Sequence, residues 1–178
     1  MDMMTQTAML FSFIGAICVV LSGMAKSNRS THQISILDCS AHTISNILFE
    51  GYSGALTTAV ALVREVLATK GKMTNTIQAI LCTIIIILGF ACNTNGFIGL
   101  LPIVGSVQYT IIGCRAKSSF TELKIALLIS ISLWTVYDIT IGAYPSVVAN
   151  IITAIMCIIT LKNHQNKQQE NSTQKEKG

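Results

Sequence analysis

Long apolar runs dominate the chain, and short polar segments separate them. Residues 73–114 contain no charged side chain, and residues 125–161 contain one, Asp138. Each stretch is long enough to cross a bilayer twice, because one helical crossing takes about 20 residues. The runs and the turns between them predict seven membrane-spanning helices, at about residues 7–25, 34–49, 53–70, 73–92, 97–114, 125–141 and 146–161.

The composition excludes a soluble globular protein. Of the 178 residues, 51% are hydrophobic and 11% are charged, whereas an average soluble domain has about 25% charged residues. The net charge of +4 does not indicate a nucleic-acid partner, because the basic residues form short groups between apolar runs. The cysteines are isolated and the chain lacks motifs for catalysis, so we expect no metal, no cofactor and no enzymatic activity.

The basic residues predict the orientation of the chain in the membrane. If the seven spans alternate in direction, every Lys and Arg falls on the same side, which the positive-inside rule makes cytoplasmic. We therefore expect the N-terminus outside and the C-terminus inside, with residues 162–178 as a disordered polar tail. Arg64, inside the third predicted span, is expected to snorkel to the surface. The Lys and Arg residues that predict this orientation form four groups: Lys26 and Arg29; Arg64, Lys70 and Lys72; Arg115, Lys117 and Lys124; and Lys162, Lys167, Lys175 and Lys177.

An internal repeat follows from the loops. Spans one to three and spans five to seven share the order of a basic loop, a tight turn and a basic end. Some residues recur at offsets of 90 to 92, such as Gly15 with Gly105 and Tyr52 with Tyr144. This pattern predicts two parallel three-helix bundles, residues 7–70 and 97–161, joined by a linker helix at 73–92.

The second half carries a family resemblance. The segment from Cys114 through Trp134-Thr-Val-Tyr137 to Asn150 resembles the triple-helix bundle of SWEET, SemiSWEET and PQ-loop transporters. Residues 7–161 as a whole are similar to the bacterial inner-membrane YgjV family, which is placed in that superfamily. The resemblance implies an inner-membrane location and a SWEET-like fold, all-α with seven spans arranged as three, one and three. The Pro-Gln hinge of the SWEET bundles is absent from this chain.

The resemblance also implies a solute pocket at the bilayer midplane. Trp134 and Asn150, sixteen residues apart, match the pocket residues of SWEET-like bundles, and Tyr137 matches a residue of the outer gate. His42 and Thr58, also sixteen apart, take the corresponding positions in the first half. The predicted substrate-binding residues are therefore Trp134, Asn150, His42 and Thr58.

Polar residues within the spans support a path through the bundle. Asp38, His42 and Asn46 recur every four residues and therefore share one helix face. Ser130, Trp134 and Asp138 do the same in the sixth span. An acid at the centre of a membrane helix costs about 2.5–3.5 kcal/mol, which favours a function. We assign Asp138, Asn46 and Asp38 to the gate, together with Tyr137. The alternative to a path is that these polar residues only hydrogen-bond neighbouring helices to one another. For Asp38, a second alternative is that its carboxylate reaches the water at the membrane surface.

Two functions from different classes remain open. One is a transporter or facilitator that moves a small polar, sugar-like solute by alternating access. The other is a non-transporting membrane protein of the same fold that acts in partner binding or membrane organisation. The expected partners are the lipid bilayer and, for the first function, the solute. Nucleic acid is not expected, and a homo-oligomer is compatible with either function.

Overall fold

Within residues 3–115 and 118–176, which the computed structural model describes, the chain is helical and contains no strand. Seven α-helices were expected, and this part of the chain contains seven, with a short 3-10 helix at Ile98–Leu100 before the fifth. They are α1 (Met3–Met24), α2 (Asn28–Leu48), α3 (Tyr52–Thr69), α4 (Asn75–Ala91), α5 (Leu101–Ile112), α6 (Phe120–Ile141) and α7 (Tyr144–Glu176).

Local sequence explains where several helices begin and end. The Ser27 hydroxyl caps α2 by accepting the backbone N–H of Ser30 at 3.1 Å. Ser119 and Glu122 form a reciprocal capping box at the start of α6. That helix ends at Gly142, whose φ of 78° is left-handed and therefore favours a residue without a Cβ. The turn into α7 thus lies where the sequence predicts it.

Six of the helices pack into a ring. α1 contacts α2 and α7, α2 contacts α3, α3 contacts α5, α5 contacts α6, and α6 contacts α7. α4 packs against α3 and α5. Each helix of the ring therefore has neighbours on two sides, and the centre of the ring is enclosed by side chains from all six.

The distribution of polar and apolar side chains is the reverse of that in a soluble protein. Lys124, Glu65 and Thr110 are fully buried, whereas Phe13 on α1 and Ile87 on α4 are 55% and 60% exposed. Water-facing surfaces rarely present so many large apolar side chains. An apolar exterior around a polar interior is the arrangement expected of helices surrounded by lipid.

Three helices have both the length and the hydropathy to cross a bilayer by themselves, namely α1, α6 and the part of α7 at Tyr144–Asn166. α4 and α5 are shorter apolar helices. α2 has 21 residues and would span about 30 Å, but it buries polar side chains such as Thr31, His32 and Asn46. Mean hydropathy averages over all faces of a helix, so it underestimates helices that bury polar residues inside a bundle.

Two basic residues differ from their predicted roles. The expectation that Arg64 snorkels to the surface is wrong, because Arg64 is buried inside the ring with 5% exposure. Lys124 is fully buried, and its Nζ donates to the carbonyl oxygens of Ser22 at 2.7 Å and Gly23 at 3.1 Å. These carbonyls belong to the last turn of α1, where a cation also interacts favourably with the helix dipole.

The predicted tail has helical structure. α7 continues to Glu176 and so includes residues 162–176, the segment whose composition predicts disorder. Gln, Glu and Lys are good helix formers, and here they extend a helix already started by its apolar half. Lys117 and Lys177, which contribute to the predicted orientation, lie outside the described residues.

Candidate functional site: a polar cavity at the centre of the ring

A cavity of about 90 Å³ lies at the centre of the ring. Each ring helix contributes to its lining, for example through Val19, His42, Arg64, Tyr109, Trp134 and Asn150. The volume is enough for a few water molecules or a solute with few non-hydrogen atoms.

The structure brings most of the predicted site residues to this cavity. Its lining includes the predicted substrate-binding residues and two of the predicted gate residues. Two other gate residues, Asn46 and Tyr137, are buried but are not part of the lining. The lining residues are Trp134, Asn150, His42 and Thr58, with Asp38 and Asp138 from the gate set.

His42 belongs to a chain of hydrogen bonds that joins three helices. Its Nδ1 lies 2.6 Å from Asp38 Oδ1, and its Nε2 lies 3.0 Å from Ser146 Oγ. Ser146 Oγ is 2.8 Å from Ser12 Oγ. The carboxylate of Asp38 accepts the Nδ1 proton, and while the imidazole is neutral its Nε2 accepts a hydrogen bond from Ser146. These hydrogen bonds therefore fix the ring orientation of His42 and link α2 to α7 and α1.

The order of carboxylate, imidazole and hydroxyl is also that of a hydrolytic triad. Here, however, Ser146 is 1% exposed, and its hydroxyl is shared with Ser12. The backbone N–H of Ser146 donates to the carbonyl of Ala143 at 3.0 Å and so is not free to stabilise an oxyanion. The arrangement therefore orients His42 and does not present a nucleophile to a substrate.

A second polar pair joins α6 to α7. Asn150 Nδ2 donates to Asp138 Oδ2 at 3.0 Å, and both side chains are buried. Trp134, four residues before Asp138 on the same face of α6, meets Tyr137 edge-on with ring centroids 5.7 Å apart. On α3, Thr58 accepts a hydrogen bond from Thr43 of α2 at 2.9 Å. Asn150, one of the predicted substrate-binding residues, is thus held by a hydrogen bond to Asp138, one of the predicted gate residues.

Sequence reasoning missed a charged network at one end of the cavity. Arg64 Nε and Nη2 lie 2.9 and 2.8 Å from Glu65 Oε1, and His32 Nδ1 lies 2.7 Å from Glu65 Oε2. The Arg64 guanidinium also donates to Thr110 Oγ1 at 3.0 Å and lies 4.6 Å from the centre of the Tyr109 ring. The signal was present, because two adjacent charges inside a predicted span require partners.

This network lies between two cavities. Glu65 lines the central cavity, whereas His32 lines a second one of about 450 Å³. Three basic residues also line the second cavity, namely Arg29 in the first turn of α2, Lys70 just after α3 and Arg115 after α5. The hydrogen bond from His32 to Glu65 therefore separates the central cavity from the end of the ring where the basic loops meet.

One group of side chains offers metal-ligating atoms close together. Potential ligand atoms of His32, Glu65 and Cys114 all lie within 4.8 Å of one another, and the three residues are buried. Sequence spacing did not reveal this group because its members come from α2, α3 and the segment after α5. The guanidinium of Arg64 is bound to the same carboxylate and would repel a metal cation. His32 and Glu65 are better described as members of the ion-pair network with Arg64.

An all-helical chain with an apolar exterior and a polar cavity at its centre has the character of an integral membrane protein. The chain belongs to the Imp-YgjV family, described as a bacterial inner membrane protein, whose model matches residues 6–168. Searches of curated proteins and of solved structures found no match. The predicted YgjV membership and inner-membrane location are confirmed, and the relationship to SWEET and PQ-loop transporters stays a prediction.

Proposed function

We propose that this protein is a carrier that moves a small polar solute across the inner membrane through its central cavity. The observation that carries this proposal is the central cavity, to which all six ring helices contribute and which five of them, α2, α3, α5, α6 and α7, line with charged or polar side chains. Ionisable groups inside a membrane protein are costly, and they commonly mark a solute or ion path. Trp134, Asn150, His42 and Thr58 form the solute site.

In this proposal α1–α3 and α5–α7 are two three-helix bundles that rock about the cavity, and α4 connects them. The contacts of α4 with α3 and α5 support the connecting role. All seven helices cross the bilayer, with the N-terminus outside. The meeting of Arg29, Lys70 and Arg115 at one end supports this orientation, because positive loops remain on the cytoplasmic side.

Each end of the cavity has a candidate gate. At the basic end, the hydrogen bond between His32 and Glu65 would break as the cavity opens to the cytoplasm. At the other end, Tyr137 packs so closely on α3 that a Cβ at Gly54 would lie 2.8 Å from Tyr137 Cε1. Asn46 is buried near this end as well. Asp38 and Asp138 line the cavity, so we assign them to the solute site in place of the gate.

Transport is tested with purified protein in liposomes and radiolabelled glucose, alanine, adenine and guanidinium as probes. We expect uptake of at least one probe above that of empty liposomes. Asn150→Ala should lower this uptake about tenfold or more, because it leaves a buried carboxylate without its hydrogen bond. Asn163→Ala, at an exposed position of α7, is the matched control and should transport normally. Uptake equal to that of empty liposomes for every probe would contradict the proposal.

The second candidate is a non-transporting membrane protein of the same fold. Mutual hydrogen bonding of the cavity groups, such as Asp138 with Asn150, favours it, because such bonds also hold membrane helices together. The reactivity of single introduced cysteines distinguishes the carrier from the non-transporting protein. These cysteines are introduced into a variant in which the six native cysteines are replaced. A carrier should expose Thr58→Cys in the cavity to a water-soluble maleimide, while the fully buried Thr153→Cys stays unreactive. Protection of both positions would favour the non-transporting protein.

A further inference from the structure

The ionisable side chains around the central cavity do not balance in charge. Arg64, the one Lys or Arg side chain that the structure describes in this lining, is paired with Glu65, and Asp38 is hydrogen-bonded to the imidazole of His42. Asp138 is the carboxylate that remains without either kind of partner. Among the described residues no cationic side chain forms an ion pair with it, and its hydrogen-bond donor is the neutral amide of Asn150.

The burial of Asp138 makes its missing counter-charge significant. The residue is 4% exposed and lines the cavity. A buried charge without a partner is strongly destabilising, and one neutral hydrogen bond does not compensate for it. A positively charged occupant of the cavity would supply the missing partner.

Other features of the cavity limit the kind of cation. The Trp134 ring lines the cavity one helical turn from Asp138, and Trp attracts cations more strongly than other aromatic residues. The hydroxyl oxygen of Ser130 lies in the same lining and can accept a hydrogen bond from such an occupant. The volume of about 90 Å³ admits an occupant with few non-hydrogen atoms.

We infer that the cavity binds a small organic cation with N–H donors, with Asp138 as its counter-ion and Trp134 against its face. This inference names the solute class of the proposed carrier and so rests on that function for its transport part. Its binding part is independent of transport.

Guanidinium and urea are a matched pair of probes for this inference. Both are planar and have the same number of non-hydrogen atoms, but guanidinium carries a permanent positive charge and urea is neutral. We expect guanidinium, at concentrations far below those that denature proteins, to raise the melting temperature of the detergent-purified protein in a saturable way. Urea at the same concentrations should leave the melting temperature unchanged.

Three variants test the assignment of residues. Asp138→Asn should weaken guanidinium binding at least about tenfold, as expected for a lost charge-assisted hydrogen bond. Trp134→Leu keeps the charge and should weaken binding several-fold, which provides a second test if Asp138→Asn does not fold. Glu50→Gln removes an exposed carboxylate at the α2–α3 turn and should bind guanidinium like the wild type.

The outcomes distinguish this inference from the proposed function. Uptake of glucose or alanine without guanidinium binding would overturn the inference and leave the carrier standing. Guanidinium binding that depends on Asp138, without uptake of guanidinium or of any other probe, would support the site and contradict the carrier. Equal binding by wild type and Asp138→Asn would overturn the inference. Absence of binding from about pH 6 to about pH 9, as expected if Asp138 holds a proton instead, would also overturn it.

Discussion

The imidazole of His42 occupies the space beside Gly15 that any other residue would fill with its side chain. A Cβ at Gly15 would lie 2.6 Å from His42 Cε1 and 2.7 Å from Nδ1. Asp38 and Ser146 hold the two ring nitrogens. The position of His42 at the cavity therefore depends on residue 15 of the neighbouring helix α1 being a glycine.

Gly15→Ala should destabilise the protein through this contact. The added methyl group must displace the His42 ring and disturb its hydrogen bonds, and such overpacking costs about 1–3 kcal/mol of the free energy of unfolding. The melting temperature should fall by about 2–4 °C per kcal/mol. Gly105→Ala is the matched control, because its Cβ would meet Ser130 Oγ at an ordinary 3.4 Å. Equal melting temperatures for the two variants would contradict the close packing of Gly15 and His42.

The Arg64 and Glu65 pair predicts strong coupling between two substitutions. Glu65→Gln alone should lower the free energy of unfolding by about 3–5 kcal/mol, because it leaves the buried Arg64 without a counter-charge. The double variant Arg64→Met with Glu65→Gln should be more stable than Glu65→Gln. Denaturation of wild type, Arg64→Met, Glu65→Gln and the double variant in the same detergent measures the coupling. Additive effects of the two substitutions would show that the pair does not interact.

Transport by the proposed carrier should depend on pH through His42. Histidine changes its charge more readily near neutral pH than any other side chain. In this structure its protonation would also require Ser146 to change from hydrogen-bond donor to acceptor, since Nε2 lies 3.0 Å from that hydroxyl. Uptake of a transported probe from about pH 5.5 to about pH 8 should give different profiles for wild type and His42→Gln. Coincident profiles would leave His42 with a packing role alone.

The orientation of the chain is open to direct measurement. Reporter fusions after Gly51, Asn95 and Gly142 should report the periplasmic side, and a C-terminal fusion should report the cytoplasm. The reason is the positive-inside rule applied to the end where Arg29 and Lys70 meet. A cytoplasmic signal from any of the first three fusions, or a periplasmic signal from the fourth, is incompatible with seven spans.

The sequence by itself determined the helices and the class of protein. Apolar runs and turn residues are local features, so they predicted helices close to those observed and the turn after α6 at Gly142. Helical periodicity is local too, so it correctly placed Asp38 with His42 and Trp134 with Asp138 on shared faces. The low charge content then required lipid around the helices.

The tertiary structure decided which polar groups are partners. Asn150 binds Asp138, His42 reaches Ser146 on α7, and His32 meets Glu65 across 33 positions of sequence. Such pairs depend on how helices cross and rotate against each other, and no local pattern encodes these angles. For the same reason the sequence assigned Arg64 to the surface. A charge near the end of an isolated span is close to water, but packing against α5 encloses it and supplies its partners.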